Sequence, residues 1–414
     1  MNVLFKNFTL IDGTGSPPLT NAVILVSGNK IAFVGTLNEW LLIKNNNVTT
    51  IDLQGNYVLP GLIDTHVHLS GSGEPNSYFE VKNMTLKMLS NAQKNLKAGI
   101  TSIRDLGGWN ELEFDIRKSD FVLPRMCLAG RFISITESGA DYYKGMYYVA
   151  DGVNEVRKAV REQIKNGADV IKIGVTGAML VENGNPSITH YNMDEIEAFV
   201  DEAHKFNKPV AAHSHCIDGI RKAVQAGVNT IEHGTYLHQD EKVIKEMVKK
   251  NIILVPTLKL NYYSEKSAYW IMNKKKIIEN NVEISLKMAY DAGVTIAMGS
   301  DAGSPFNYHG ENVLEIFLMN KIMNPMDCIT AATKNAARAL GWDSWLGTIE
   351  AEKMADFIVH KKNPLEDLRV LADSNSLECV VKDGKIVVCG IGCNFPNEVL
   401  AENILIINKK YAKL

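Results

Sequence analysis

GLIDTHVHLSG, residues 61–71, is an apolar run of strand type that ends on two histidines, His66 and His68. Side chains two apart on a strand share a face, so these imidazoles project together while Val67 packs on the other side. Two imidazoles aligned in this way make half of a metal site. Seven further apolar segments follow: ITSIRDL (100–106), RMCLAGRFI (125–133), DVIKIGV (169–175), PVAAHSH (209–215), NTIEHG (229–234), IILVPTL (252–258) and VTIAMGSD (294–301). Eight such strands separated by helix-period segments predict a (β/α)8 TIM-like barrel of α/β class. One intervening segment, from Val153, places Val156, Val160 and Ile164 four apart and stops at Gly167, the stripe and terminator of an amphipathic helix. Another, 193–209, opens with Asp194 and Glu195 and stops before Pro209, as helix ends require.

On either side of the barrel the texture is different. Residues 1–57 hold short apolar runs punctuated by Gly, Pro and Asn, and β texture returns after Gly347, where Asp383 and Gly384 mark a hairpin. The expected organisation is therefore 1–57 and 347–414 forming a small β-sandwich outside a barrel at 58–346. The tail from Asn394 to Leu414 is expected to be helical.

The chain has 414 residues, 46 % of them apolar and 22 % charged, with a formal charge of −3. It can bury a large core, and nothing in its charge attracts nucleic acid or an anionic membrane. No apolar run approaches the ~18 residues of a membrane helix, and Asp12 with two early glycines interrupts any leader-like stretch. The expected location is cytoplasmic, the expected partner a small-molecule substrate, and the expected assembly a homo-oligomer. Six cysteines, Cys127, Cys216, Cys328, Cys379, Cys389 and Cys393, show no paired framework and read as buried thiols.

Metal-ligand types recur at the ends of the later strands. Lys172 lies in an apolar strand, where a charged, unpaired lysine is costly. A desolvated amine has a depressed pKa, and its neutral form can add carbon dioxide to give a carbamate with two oxygens. Snorkelling or a carboxylate partner would explain the same lysine. His213 and His215 share a face, His233 closes NTIEHG and Asp301 closes VTIAMGSD. All lie where barrel enzymes assemble their chemistry. His190, His204, His238 and His360 are given no metal role.

These residues resemble the amidohydrolase superfamily, and within it the imidazolonepropionase-like group that includes metal-dependent prolidases and dipeptidases acting on C-terminal Arg or Lys. The resemblance is carried by LPGLIDTHVH (59–68), ITSIRDLGG (100–108), GADVIKI (167–173), VAAHSH (210–215), IEHGT (231–235), GSDAG (299–303), HGEN (309–312), AATKNAARALG (331–341), GTIEAEKMADF (347–357) and VVKDGK (380–385). It implies that His66, His68, Lys172, His213, His233 and Asp301 hold two divalent metal ions, zinc by the chemistry of the donors, with carboxylated Lys172 bridging them. It implies amide hydrolysis by a bridging hydroxide, with Asp301 as general base and then acid. The substrate would be a dipeptide or an N-acyl amino acid with a free carboxylate. His215 would contact that carboxylate or brace the ligands, and Tyr236 and His309 are rim candidates for substrate binding. Arg104 and Asp105 would form a buried ion pair bracing the second strand or touch substrate.

One departure stands out. Relatives carry a Gly-Gly-His-Gly-Asp stretch after the third strand, whereas this chain reads ITESGADYY, with Gly139 at the histidine's place. Tyr142, Tyr143, Tyr147, Tyr148 and the run LKLNYYSEKSAYW (258–270) put aromatic rings near the mouth. Two rival readings remain: a mononuclear imidazolonepropionase-like cyclic amidohydrolase or deaminase, whose members often carry an acid or amide where Cys216 stands and do not need Lys172, and an inactive scaffold for protein interaction.

Overall fold

The computed structural model describes residues 2–43, 48–74, 81–143, 145–179, 181–262, 271–274, 280–390 and 395–407. Residues 263–270 of the second aromatic run, the side chains of Tyr142 and Tyr262, Cys393, and residues 394 and 408–414 of the tail lie outside them.

Short apolar runs such as VLF and AVILV build the first three strands, β1 (Asn2–Leu10), β2 (Leu19–Ser27) and β3 (Lys30–Thr36), an antiparallel meander. Strand β4 (Thr49–Asp52) and strand β5 (Tyr57–Pro60) both pair parallel to β1. The chain then leaves this sheet through Gly61, where an added Cβ would collide with Thr101 Oγ1 at 2.1 Å.

Strands β6 (Leu62–Val67), β7 (Ile100–Asp105) and β8 (Arg125–Leu128) form a parallel three-stranded sheet. A parallel six-stranded sheet contains β9 (Phe132–Ser134), β10 (Tyr147–Val149), β11 (Ile171–Gly174), β12 (Val210–Ser214), β13 (Thr230–His233) and β14 (Ile253–Val255). Asp169 N donates to Leu128 O at 2.8 Å between the two sheets. The expected eighth strand makes isolated bridges instead of a continuous ladder. Leu254 N donates to Thr295 O (3.0 Å), Thr65 N to Met298 O (3.0 Å) and Asp301 N to His66 O (2.7 Å). Each expected strand thus hydrogen-bonds its sequence neighbour, and the last also bonds the first.

Helices follow the anticipated periods. Gly152–Asn166 buries Val156, Ala159, Val160 and Gln163 and ends at Gly167 with φ +111°, a left-handed cap that suits glycine. Met193–Lys205 starts from a capping box made by Asn192 and Glu195. Among the described residues no helix is long and apolar enough to cross a membrane.

The C-terminal segment returns to the first sheet. Strand β15 (Phe357–His360) pairs antiparallel with β5, and β16 (Leu377–Lys382), β17 (Lys385–Cys389) and β18 (Leu400–Ile406) extend the order outward. Hydrogen bonding therefore makes one nine-stranded sheet from both chain ends, where the sequence suggested a sandwich. Phe5 and Phe357 meet edge to face at 5.1 Å and tie its halves together. Asp383 and Gly384 take φ +52° and +75°, as the expected hairpin turn requires.

Two local expectations fail. Within the described part of the tail, Leu400–Ile406 is a strand and not a helix, because Leu400, Ile404 and Leu405 pack beside β17 and the sheet core. Cys389 is disulfide-bonded, so it is not a thiol; Cys127, Cys216, Cys328 and Cys379 are free and buried as expected.

Candidate active site

The strand ends converge on one buried cluster. Lys172 and His66 are each 1 % exposed, His233 3 % and Asp301 5 %. His66 Nε2 lies 3.5 Å from Lys172 Nζ and 3.9 Å from Asp301 Oδ1, and His68 Nε2 lies 3.4 Å from the same oxygen. His213 Nδ1 and His233 Nε2 are 2.8 Å apart, one ring donating to the other. All six expected ligands thus come together, and two overlapping donor groups emerge: His66, His233 and Asp301, and His213, His215 and His233.

Two of these positions depend on backbone strain. His233 has φ +71° and Asp301 φ +57°, a conformation costing non-glycine residues roughly 1 kcal/mol or more. On a regular strand, neighbours face opposite sides. The left-handed turn at His233 brings both it and Glu232 to the inner side, and the turn at Asp301 does the same for it and Ser300.

Glu232 is the functional residue that the sequence reading passed over. Fully buried, it accepts from His66 Nδ1 (2.8 Å), from Arg104 Nη2 (2.8 Å) and from the Thr230 hydroxyl. Burial alone would raise its carboxyl pKa, but Arg104, His66 and Lys172 outweigh burial and hold it at about 2. An anionic acceptor on Nδ1 fixes the His66 tautomer and leaves Nε2 free to coordinate. A buried acid beside a strand-end histidine in NTIEHG was the available signal. Arg104 therefore pairs with Glu232 and not with Asp105, whose carboxylate accepts the backbone N–H groups of Leu69 and Gly107. Asp64 ties the first strand to the last by accepting from Ser300 Oγ and Asn312 Nδ2.

Burial decides the protonation states. It pushes His66 down to about 4 and His215 to about 3, and holds His68, His213 and His233 well below the ordinary value. Neutral imidazoles are the metal-binding form. Burial also lowers the Lys172 amine to about 8 and raises the Asp301 carboxyl to about 7.

His215 lines the same cavity. Thr235 Oγ1 sits 2.7 Å from its Nδ1, while Nε2 has no hydrogen-bond partner among the described residues. Tyr236 and His309 do not line it. His309 is instead buried against Asn95, and its Nε2 donates to the carbonyls of His68 (3.1 Å) and Gly71 (3.0 Å). It holds the backbone that carries His68, so the rim role expected for it fails. The whole cavity is about 70 Å³, and the rest of its lining includes Phe132, Tyr143, Met146, Tyr147, Met179 and Leu260. Its five histidines are the ones already named, so no further imidazole takes the place left by Gly139. Cys216 contacts Thr189 Oγ1 at 3.5 Å and lies off the cavity, where a deaminase-type acid or amide would be expected.

Comparison with known proteins agrees with this geometry. Residues 57–387 match the Amidohydrolase family. Ochratoxinase of Aspergillus niger is 31 % identical over 416 residues, covering 91 % of this chain and 85 % of that protein. A crystal structure of a Xaa-Pro dipeptidase with methionine in its active site is 30 % identical, with a TM-score of 0.84 over 93 % of this chain and 99 % of that one. The imidazolonepropionase of Shewanella sp. (strain ANA-3) is 23 % identical over 425 residues, 92 % of this chain and 97 % of that protein. The parallel strands and flanking helices therefore form a TIM-barrel-like α/β fold, and the chain is a hydrolase acting on carbon–nitrogen amide bonds. The chain belongs to the amidohydrolase superfamily, in its imidazolonepropionase-like group.

Proposed function

We propose that this protein is a binuclear metal-dependent amidohydrolase that cleaves a peptide-like bond in a small carboxylate-bearing substrate, such as a dipeptide or an N-acyl amino acid. The observation that carries the reading is the convergence of six candidate ligand side chains from five strand ends in one buried cluster. Its supporting frame is a closed eight-stave barrel, inferred from the neighbour-to-neighbour hydrogen bonds between Leu62 and Asp301.

The donor set fits metal. His68 Nε2 and Asp301 Oδ1, 3.4 Å apart, are close enough to share one ion, and the Lys172 amine lies 3.5 Å from His66 Nε2, within reach of the same centre. Two divalent ions, zinc by donor chemistry, would supply a Lewis acid for the amide carbonyl and water that deprotonates near neutral pH. Lys172 would join them as a carbamate: its neutral amine adds to carbon dioxide, one proton leaves, and two oxygens become available, one to each ion.

The chain's own groups do the rest. Asp301, steadied by the Ser304 hydroxyl at 3.0 Å, takes a proton from the attacking water and returns it to the leaving nitrogen. His215, anchored through Thr235, donates toward the substrate carboxylate. Phe132 and Tyr147, whose rings lie 4.7 Å apart, enclose the apolar flank and exclude water.

Lys172→Ala tests the centre. Elemental analysis is expected to find about two divalent ions per parental chain, with most of that metal and most hydrolysis of a dipeptide and N-acyl amino acid panel lost in the variant. A variant with full metal content and full turnover overturns the bridge.

A further inference from the structure

A second cavity, about 270 Å³, lies away from the metal cluster. One wall is the end of helix Met84–Lys97, another the 308–311 turn, and the third is the C-terminal segment at Leu371, Leu377 and Ile407. It is larger than the catalytic cavity and close to the lower end, about 300 Å³, of small-molecule sites. Its charges are unevenly matched. Glu311 is paired with Lys259 at 3.4 Å and Asp373 with Lys362 at 3.5 Å. Glu74 faces Lys94 and takes a hydrogen bond from Tyr308. Half-buried Lys97 lines the same space, and no hydrogen bond or ion pair holds its ammonium among the described residues. One free cation above an apolar floor suits a monoanion with a hydrocarbon body.

We propose that this cavity is a second, non-catalytic site for a small amphipathic carboxylate, its acid group on Lys97 and its apolar part against Leu371, Leu377 and Ile407. The site is coupled to catalysis through His309, which lines this cavity and also holds the carbonyls of His68 and Gly71. Neither the binding nor its test depends on which amide is hydrolysed.

The probes are octanoate and 3-phenylpropionate, titrated calorimetrically into metal-loaded full-length protein, with octanamide and inorganic phosphate as controls. One site per chain is expected for the acids, with both controls at least tenfold weaker. Lys97→Ala is expected to weaken the acids about tenfold, and Leu371→Trp to abolish their binding by filling the space. Metal content and acid-free hydrolysis should persist in both variants. Saturating octanoate should shift KM severalfold in the parental enzyme and not in Leu371→Trp. The proposal is overturned by absence of binding at millimolar acid, by phosphate or octanamide binding equally well, or by unchanged acid binding in Lys97→Ala. It is equally overturned if chelation of the metal removes the binding, which would place the acid at the catalytic centre. Binding with KM unmoved overturns the coupling.

Discussion

Replacing Glu232 by Gln removes one negative charge from a site with no access to solvent. The carboxylate is held at about 2 against an ordinary 4.5, a difference equivalent to about 3 kcal/mol of preferential stabilisation of the anion. Breaking a buried pair by neutralising one partner costs a similar amount, about 3–5 kcal/mol, because the Arg104 guanidinium would stay buried without its counter-charge. The sign follows from the depressed pKa: the contribution is present above pH 4.5 and lost as pH falls toward 2. The proposed metal centre should suffer separately, since His66 Nδ1 loses an anionic acceptor, a change that typically lowers metal affinity 10–100-fold. Urea unfolding of metal-free protein at pH 7 and competition with a chromophoric chelator read the two effects. Adding Arg104→Met to Glu232→Gln separates them: the double variant should regain most of the stability and none of the metal affinity. Metal affinity within twofold of the parent in Glu232→Gln would refute the claim that this carboxylate orients His66.

Two other perturbations give distinct outcomes. Asp301→Asn keeps an oxygen donor and removes the proton acceptor, so kcat on the best amide substrate should fall about 10²–10⁴-fold while elemental analysis still finds metal; a fall under tenfold would remove Asp301 from proton transfer. His360, 1 % exposed in β15, leaves both ring nitrogens without hydrogen bonds among the described residues. Burial lowers its pKa to about 4 against the opposing charge of Asp373. The unfolded chain therefore takes up this proton first, and stability is lost as pH falls from 6.5 toward 4. His360→Leu should stabilise the protein, with the advantage over the parent larger by about 2 kcal/mol at pH 5 than at pH 8, as measured by denaturant titration at each pH.

Most of the barrel was legible because parallel strands buried on both faces read as continuous apolar runs, and the glycines between them mark the turns. His66 with His68, and His213 with His215, followed from strand periodicity alone. The relation of the two chain ends was less visible. Alternation reveals that a segment is a strand, but the pairing of Phe357 with Pro60 that joins them into one sheet is a long-range choice. The tail was misread because its apolar residues suit either period, and packing beside β17 decided for a strand.

The site residue that escaped detection did so for a physical reason. A period of two assigns Glu232 and His233 to opposite faces, and that assumption holds only while both residues keep extended dihedrals. The φ of +71° at His233 breaks the alternation at the one place where ligand and supporting carboxylate are adjacent in sequence. Asp301 at φ +57° repeats the device, turning Ser300 toward Asp64 and the ligand toward His68. Strain of this kind persists only where surrounding contacts over-determine it, and here the contacts are the Arg104–Glu232 pair and the Asp64 network. Both lie beneath the ligands, so the barrel floor spends stability to present two side chains where a regular strand end offers one.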